Sequence, residues 1–562
     1  MVSAVGTPGY IIERCKALKG NWSTRDKKFS DWYNILLQED KLAQEGMESV
    51  VTNDPRTGYN LAKHLLISMI IADKVPSEEL TPEQIPGISY LESFISKRWD
   101  NQERRYRKIG RQSWIGEAVS WLLATGWYSV FSMVTKDEIW AEVWSPADCY
   151  PDFGTDGLVE HAHIYTLSPG AANRKVKLMG WTVSRPFTDK VDVYDHWTFD
   201  ATGSVANAVV MGDDFVKTPV VDSAMSKLGI LPIFTSPAGG LPDRGSIKSS
   251  GWQEHYGECL VATNEGLNDN YNRMRTFYQQ SARYGAQHHW LETSQGETPI
   301  ATDEIMSRWG SVLHGQPGED VRAIQPAAMP VELTNIMYTY QNELQRGLFP
   351  SAVFGNVQQQ MSYLAMANVA SASLQVLTPY IEAFKGLRTD IDNFWTRMLL
   401  EVGLRPYNFK KPTGIPEETE FDVSADVEIP GYLIQRATVS RMLNPQFRLP
   451  NEYVMERMFP DIKNSLKAQA DTRKEDAMAH PKAILVDQIL AYREQARMLR
   501  ELDPPDTEGA DLYEKLAKSL ESELDPQTQQ PVGPGQQAPV TPAQEVMPQE
   551  LMAPIEGMGR MA

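Results

Sequence analysis

The sequence predicts an α+β fold in which helical and β-rich segments follow one another in blocks. Apolar residues recur at helical spacing before residue 125 and again after residue 331. Between them, residues 127–235 contain short aromatic and β-branched runs separated by turn residues. The chain of 562 residues is also too long for a single core, so we expect three or four structural regions.

Helices are predicted over residues 23–50, 60–72 and 88–125. In the last of these, Ile115, Val119 and Leu122 are spaced four and three apart, which is typical of the buried face of a helix. Gly126 is expected to end it. The first helix carries its apolar stripe on Trp32, Leu36, Leu37 and Leu42.

A basic cluster lies within the third helical segment and consists of Arg104, Arg105, Arg107, Lys108 and Arg111. We interpret it as a solvated helix face or a contact between subunits. Contact with DNA is the alternative interpretation.

The β-rich region carries His161 and His163 on one face of a predicted strand, an arrangement that would suit a metal ion. The sequence places no third ligand at a telling spacing, which favours ordinary strand histidines. Further strands are expected at "YSVFSMV", "EIWAEVWS", "VKLMGWTVS" and "KVDVYDHWTF".

Residues 230–246 are rich in glycine and proline and predict a hinge. A long, mostly polar helix is expected from residue 252 to about 283, short strands over 284–330, and a second helix over 331–347. A polar Gly-Asn-Val-Gln-Gln-Gln stretch then precedes a helix of small residues that continues to about residue 403. Pro379 should kink that helix, because proline removes an amide donor and crowds the preceding turn.

After a returning strand near residue 422, helices are predicted at about 432–444 and 450–478. A further helix repeats apolar residues at spacings of four, three, four and three, which indicates a surface for packing against another helix. Those residues are Leu485, Ile489, Tyr492, Ala496 and Leu499. From residue 526 onward the chain is rich in proline and glutamine, a composition that predicts disorder unless a partner supplies a surface.

Charge and composition favour some functions over others. The net charge of −19 argues against tight DNA binding through a basic surface. Three widely spaced cysteines, no signal-peptide pattern and no apolar run long enough for a bilayer indicate a soluble, cytoplasmically assembled protein. The chain lacks GxSxG, HExxH and Walker sequences, and an enzyme would need a scattered site around His255, Glu258 and Asp269.

The order of these elements resembles that of the portal proteins of tailed bacteriophages, which form the ring through which a genome enters and leaves the capsid. The resemblance covers about residues 30–525 and is carried by "LPIFTSPAGGLPDRGS", "GWQEHYGECLVATNEGLNDNYNRM", "GLFPSAVFGNVQQQMSYLAMANVASASLQVLTPYIEAFKGLRTDIDNFW" and "RATVSRMLNPQFRLPNEYVMERMFPDIKN".

The resemblance implies a portal-type fold with a β-rich wing, two long stem helices, a small α/β clip, a tunnel helix and a helical crown. The implied layout is an arm and wing at 1–245, a first stem helix at 246–283, a clip at 284–330, a second stem helix at 331–347, a tunnel loop at 348–363, a kinked tunnel helix and returning wing at 364–450, a crown at 451–525 and a Pro/Gln-rich tail at 526–562.

It also implies a non-enzymatic ring of twelve copies in the virion, at the capsid vertex. Expected partners are double-stranded DNA in the channel, the terminase large subunit, the major capsid protein and a tail adaptor, with no membrane, metal or cofactor. Another virion protein, such as a tail adaptor or minor capsid protein, is the alternative.

Roles for particular residues are likewise expectations of that resemblance. Asn356, Gln358, Gln359 and Gln360 are expected to line the channel. Lys385 and Arg388 are candidates for sparse DNA contacts, and the small residues Ala367, Ala370 and Ser371 for packing between subunits.

Overall fold

A computed structural model of the chain describes residues 6–43, 49–76, 81, 83–241, 256–286, 289–294, 316–324, 331–349, 375–427, 472–475, 477–501 and 505–524. The chain divides into two compact units, Met1–Ser465 and Leu466–Ala562. Helices and strands are both well represented, and the strands of every described sheet pair antiparallel, so the predicted α+β class is confirmed.

The amino-terminal arm consists of α1 (Pro8–Asn21) and α2 (Ser23–Leu37). Arg25 fixes this arm, because its buried guanidinium donates to the Cys149 carbonyl at 2.9 Å and lies against the Trp22 and Phe29 rings. The predicted helix over 23–50 is too long. It ends at Leu37, where Gln38 adopts a left-handed conformation (φ 60°).

Three more helices and a strand complete the arm: α3 (Asp54–Ile67), β1 (Ile70–Lys74), α4 (Ile85–Lys108) and α5 (Trp114–Thr125). The helix predicted over 60–72 therefore ends early. Ile70 and Ile71 instead pair with a distant strand, β12 (Asp422–Asp426), a tertiary contact that overrides the local apolar pattern. Gly126 ends α5 as predicted, with φ 69°.

The β-rich region is confirmed and forms two antiparallel sheets. The first has the order β3-β2-β9, and the second β4-β5-β6-β7-β8. Their strands are β2 (Trp127–Val134), β3 (Ile139–Val143), β4 (Cys149–Gly154), β5 (Gly157–Leu167), β6 (Val191–Phe199), β7 (Val205–Met211), β8 (Asp214–Val221) and β9 (Ile233–Pro237).

Two short helices interrupt the strands, α6 (Pro169–Met179) and α7 (Ser223–Leu228). The strand predicted from residue 176 is thus wrong, because residues 176–179 are helical and residues 180–184 belong to no strand. A proline in the first turn starts α6 and Gly180 (φ 64°) ends it, while Ala172 and Val176, four residues apart, pack against valines of the second sheet.

The central helix of the first unit is α10 (Thr378–Leu400), which is preceded by a 3₁₀ turn at Gln375–Leu377. Its Trp395 is fully buried, contacts Trp99 of α4 at a ring distance of 4.5 Å, and donates from its indole to the Ser132 hydroxyl of β2 at 2.7 Å. The main core therefore lies where α4, α5 and α10 meet the first sheet.

The remaining elements of the first unit are α8 (Glu265–Ala286), β10 (His289–Thr293), β11 (Asp320–Ile324) and α9 (Val331–Gly347). The bounds of α9 match the prediction, but α8 starts after residue 264 rather than at 252. The backbone amides of Glu258 and Leu260 donate to the Ala238 and Leu123 carbonyls, at 3.0 Å each, so this stretch is bonded to the core instead of forming a helical turn.

The second unit contains a helical hairpin of α11 (Pro481–Glu501) and α12 (Thr507–Leu524). The predicted packing surface is confirmed. Ile489 and Ala496 are buried, and Leu485, Tyr492 and Leu499 are half-buried against α12. Nowhere in the described ranges is a helix both long and apolar enough to cross a membrane.

Candidate functional site

The most distinctive surface of the first unit is a helix–strand–strand–helix segment, which we call the stem. It consists of α8, β10, β11 and α9. The two helices pack together, and the two strands pair antiparallel with His289 opposite Ile324 and Thr293 opposite Asp320. The stem accordingly has a helical base and a small β end, and β10 and β11 confirm the short strands predicted within 284–330.

The base of the stem is locked by one asparagine and one glycine. Asn264, at the start of α8, donates from its side-chain amide to the Leu344 carbonyl of α9 at 2.9 Å. A Cβ atom on Gly347 would lie 2.2 Å from the Asn264 side-chain oxygen, so this close approach requires glycine. The next residue, Leu348, packs against the backbone of Gly58 in α3, where an added Cβ would come within 1.8 Å of it. The helix pair is therefore fixed to the core at this end.

The first three turns of α8 are bound to the amino-terminal arm. The Glu265 carboxylate accepts from the Trp32 indole at 3.0 Å and lies 3.3 Å from Lys28 Nζ. Farther along, the Asn272 side chain accepts from the Thr52 amide at 2.9 Å, and the Thr276 hydroxyl accepts from the Val50 amide at 3.1 Å. These contacts explain why a mostly polar helix is held in place.

Beyond Thr276 the stem exposes apolar side chains. On α9, Val331 is 71% exposed and Tyr338 is 63% exposed. Ile336 of the same helix, Phe277 and Tyr278 of α8, and Leu291 of β10 are also exposed. Soluble monomers seldom expose so many large apolar groups on one segment, and such surfaces mark interactions with other molecules.

The residues expected to line a channel lie outside the described residues. These are Asn356, Gln358, Gln359 and Gln360, together with the proposed subunit-packing residues Ala367, Ala370 and Ser371. Their roles stay predictions.

Arg388 is not a DNA contact, which corrects the expectation from the sequence. It lies in the interior, where Nε and Nη2 donate to the Asp73 carboxylate of β1 at 3.0 and 2.9 Å. Its guanidinium also lies 3.9 Å from the centre of the Trp99 ring. The side chain of Arg388 is almost completely buried and bonded to the equally buried Asp73, so its guanidinium cannot reach a phosphate.

A second carboxyl group completes this buried network. Asp392, one helical turn after Arg388, accepts from the Trp99 indole at 2.7 Å. Burial, followed by the negative charge of Asp73, raises the pKa of Asp392 well above its usual range. One cation and two carboxyl groups thus lie in the interior, and the second acid is held in its neutral form.

Lys385 and Pro379 lie elsewhere on α10. Lys385 is partly exposed and forms an ion pair with Glu382, 3.1 Å away, so it remains available to solvent. Pro379 lies in the first turn of α10, where proline requires no amide partner, rather than in the helix interior. Pro379 therefore does not kink α10, which corrects the prediction, and residues 350–374 lie outside the described residues.

The basic cluster of α4 is partly neutralised by its neighbours. Arg111 donates to the Glu117 carboxylate of α5 and, at 3.1 Å, to the Val143 carbonyl. Arg104, Arg107 and Lys108 are exposed at the end of α4. Their exposure in the single chain fits the predicted solvated helix face or subunit contact.

His161 and His163 are buried strand histidines. Burial is the main cause that lowers the pKa of His161, to about 3, and it lowers the pKa of His163 as well, so both rings are neutral. His163 stacks on Trp144 at 4.0 Å. Within the described part of the chain, no group of three or more His, Cys, Asp and Glu side chains is arranged to hold a metal ion.

The scattered enzyme site is not assembled in the described residues. Asp269 is bound to Lys41 Nζ at 2.9 Å, and the Glu258 carbonyl accepts from the Tyr380 hydroxyl at 2.9 Å. His255 lies outside the described residues.

Comparison with known proteins finds likenesses only among solved structures. No family model matches the sequence, and no curated protein matches it. The neck of a native gene transfer agent (GTA) particle computed with C12 symmetry matches at 10% identity and a TM-score of 0.40, covering 73% of this chain and 90% of that one.

Two further structures resemble the chain to a similar degree. The neck of an empty GTA particle computed with C6 symmetry matches at 11% identity and a TM-score of 0.40, with coverage of 74% and 92%. The virion of a native gene transfer agent (GTA) particle matches at 10% identity and a TM-score of 0.38, covering 72% of this chain and 89% of that one. Likenesses this low carry no functional argument, so function must be argued from the chain itself.

Proposed function

We propose that this chain is the subunit of a portal-type ring at the vertex of a virus capsid. The ring forms the channel for packaging and ejecting double-stranded DNA, and docks first the terminase large subunit and later a tail adaptor. The observation that carries the proposal is the stem, whose base is locked into the core while its outer half exposes large apolar side chains.

The exposed groups of the stem favour neighbouring copies of the same chain as their partner. Val331, Tyr338 and Phe277 are in water in the single chain. Copies arranged in a closed ring would cover these side chains by heterologous contacts, in which one face of a subunit meets a different face of the next. Their burial from water then stabilises the ring.

The order of elements supports the same assignment. A β-rich wing, a stem of two helices joined by a strand pair, and a long helix leading back to the wing follow in the sequence order that resembles portal proteins. In this assignment α8 and α9 correspond to the two stem helices of the portal layout, β10 and β11 at the β end of the same segment correspond to the clip that meets the motor and tail, and α11 with α12 form part of the crown.

The charge of the chain suits a channel rather than a DNA clamp. Twelve chains at −19 each give a total of −228. A basic channel lining would bind each phosphate, whereas an acidic lining with a few polar contacts lets the DNA slide through the channel. We assign those contacts to Asn356, Gln358, Gln359 and Gln360, which can touch the DNA backbone without reading its bases.

Electron microscopy of the purified full-length protein tests the assembly. Particles with a central hole support the proposal, whereas monomers would favour another virion protein such as a tail adaptor or minor capsid protein. A Phe277→Glu variant should assemble less well, because it places a charge on the stem surface that the ring buries. Leu178→Glu, on exposed α6 of the wing, is the matched control and should assemble normally.

Replacing Gln358, Gln359 and Gln360 with lysine tests the channel. Three lysines in each of twelve chains add thirty-six positive charges to one girdle, and genome passage should slow or stall, most strongly at low salt. Virions that carry the triple variant and package and eject DNA normally would rule out this placement of the loop.

A further inference from the structure

The hairpin of α11 and α12 has two different outer faces. Tyr492 contacts Tyr513 at a ring distance of 5.8 Å, which sets the alignment of the two antiparallel helices. On one side, Arg493 donates to Glu521 at 2.8 Å and Arg500 donates to Asp511 at 3.1 Å. We call this side the ion-paired face and the opposite side the open face.

The open face is apolar. Along α11, Ile484, Ala491 and Met498 are seven residues apart, and at about 100° per residue they form one row on the side away from Arg493 and Arg500. By the same geometry, Leu512 and Leu516 of α12 face this side and not that of Glu514 and Glu521. All except Ala491 are large apolar side chains, with exposed fractions between 45% and 61%.

The ion-paired face carries a smaller apolar patch beside its charges. Val486 and Leu490 lie four residues apart on α11, on the same side as Arg493. Leu490 is 56% exposed. Because Tyr492 is level with Tyr513 in this antiparallel pair, Leu490 lies within one residue of the level of Leu516, but on the other side of the hairpin.

The charges near the two patches are of opposite sign. Lys518 projects on the ion-paired face, beyond the carboxylates already bonded to Arg493 and Arg500, whereas Arg497 on this face pairs with Glu501 of its own helix at 3.3 Å. Asp487 and Glu508 lie toward the edge of the open face, and neither forms an ion pair with another described residue. One face is thus complementary to the other in both charge and apolar character.

We infer that the hairpins of neighbouring copies pack head to tail, with Val486 and Leu490 of one chain against Leu512 and Leu516 of the next. A single covering segment could not occupy two opposite faces at the same height, whereas a row of identical hairpins covers both. Such a contact is heterologous, so the ion-paired face of every copy contacts the open face of the next copy. The inference depends on the proposed function only in that it requires several copies side by side.

Cysteine cross-linking of the full-length protein tests this contact. A Leu490→Cys/Leu516→Cys double variant, treated with a short thiol cross-linker, should give a ladder of covalent oligomers up to the size of the assembly. Native Cys15, Cys149 and Cys259 are buried and should not react. Both substituted leucines are about half exposed, so folding should be preserved.

Single variants and a displaced pair provide the controls. Leu490→Cys alone and Leu516→Cys alone should remain monomeric on denaturing gels, while an equal mixture of the two should give dimers and nothing larger. A Leu490→Cys/Lys515→Cys pair should not form the ladder, because residue 515 points to the outer edge of α12.

The outcomes separate the inference from the proposed function. Dimers from either single variant would overturn the inference by showing a symmetric contact. Intact rings on micrographs without a ladder would also overturn it, and would point to another occupant such as residues 526–562. A ladder from protein that forms no ring with a central hole would support the hairpin contact and count against the portal assignment.

Discussion

Replacing Arg388 with methionine should destabilise the protein strongly, because Arg388 is the cation that neutralises a buried carboxylate. Asp73 accepts two hydrogen bonds from it, at 3.0 and 2.9 Å, and the Asp73 side chain is only 5% exposed. Methionine keeps an unbranched apolar side chain beside Trp99 but supplies no hydrogen-bond donor to Asp73. Removing one partner of such a buried pair costs about 3–5 kcal/mol, mostly because the remaining charge is left without compensation.

The assay is thermal unfolding of the purified full-length variant beside the wild type. At about 2.1 cal/mol/K per residue, cooperative unfolding of the first unit, Met1–Ser465, has an entropy of about 1 kcal/mol/K, so Arg388→Met should lower the midpoint by roughly 3–5 °C. Lys385→Met is the matched control, three residues away on α10. Its ion pair with Glu382 is solvent-accessible, and the midpoint should hardly change.

A double variant identifies the cause of the loss. Asp73→Asn/Arg388→Met removes the stranded charge along with its partner, and should recover much of the stability lost in the single variant. An unchanged midpoint for Arg388→Met, combined with impaired genome passage, would refute the buried-pair argument and restore Arg388 as a candidate DNA contact.

Two further predictions concern the network and the stem. The raised pKa of Asp392 means that the folded protein keeps a proton on this carboxyl group that the unfolded chain releases. The free energy of unfolding should therefore fall as pH rises from the ordinary aspartate range toward the raised pKa, by up to about 1.4 kcal/mol per pH unit. Asp392→Asn should remove this slope in unfolding midpoints measured from acid to neutral pH, and an equally steep slope in the variant would exclude Asp392 as its source. Gly347→Ala must displace Asn264 at the stem base and should cost about 1–3 kcal/mol, seen as faster proteolysis within the stem. Gly266→Ala, where an added methyl meets nothing within 4 Å, is the control, and equal proteolysis of the two variants would contradict the locked base.

Local patterns in the sequence were sufficient for several elements. The bounds of α9, the end of α5 at Gly126 and the packing residues of α11 follow from side-chain periodicity and a left-handed glycine, both of which act within a few residues. The strand content of residues 127–235 was predictable for the same reason, since alternation and turn residues are local signals.

The tertiary structure alone decided the features that depend on distant neighbours. The sequence presents Arg388 as one basic residue on a helix, and only the approach of Asp73, 315 positions away, makes it a buried ion pair. Ile70 and Ile71 fit a helical pattern until β12 supplies strand partners for their backbone. The sequence predicts Gly347 as the end of a helix. Only the structure shows that the position requires glycine, because the Asn264 side chain lies against it at the base of the stem. In each case the deciding energy comes from burial and contact across long chain separations, which periodicity along the sequence does not record.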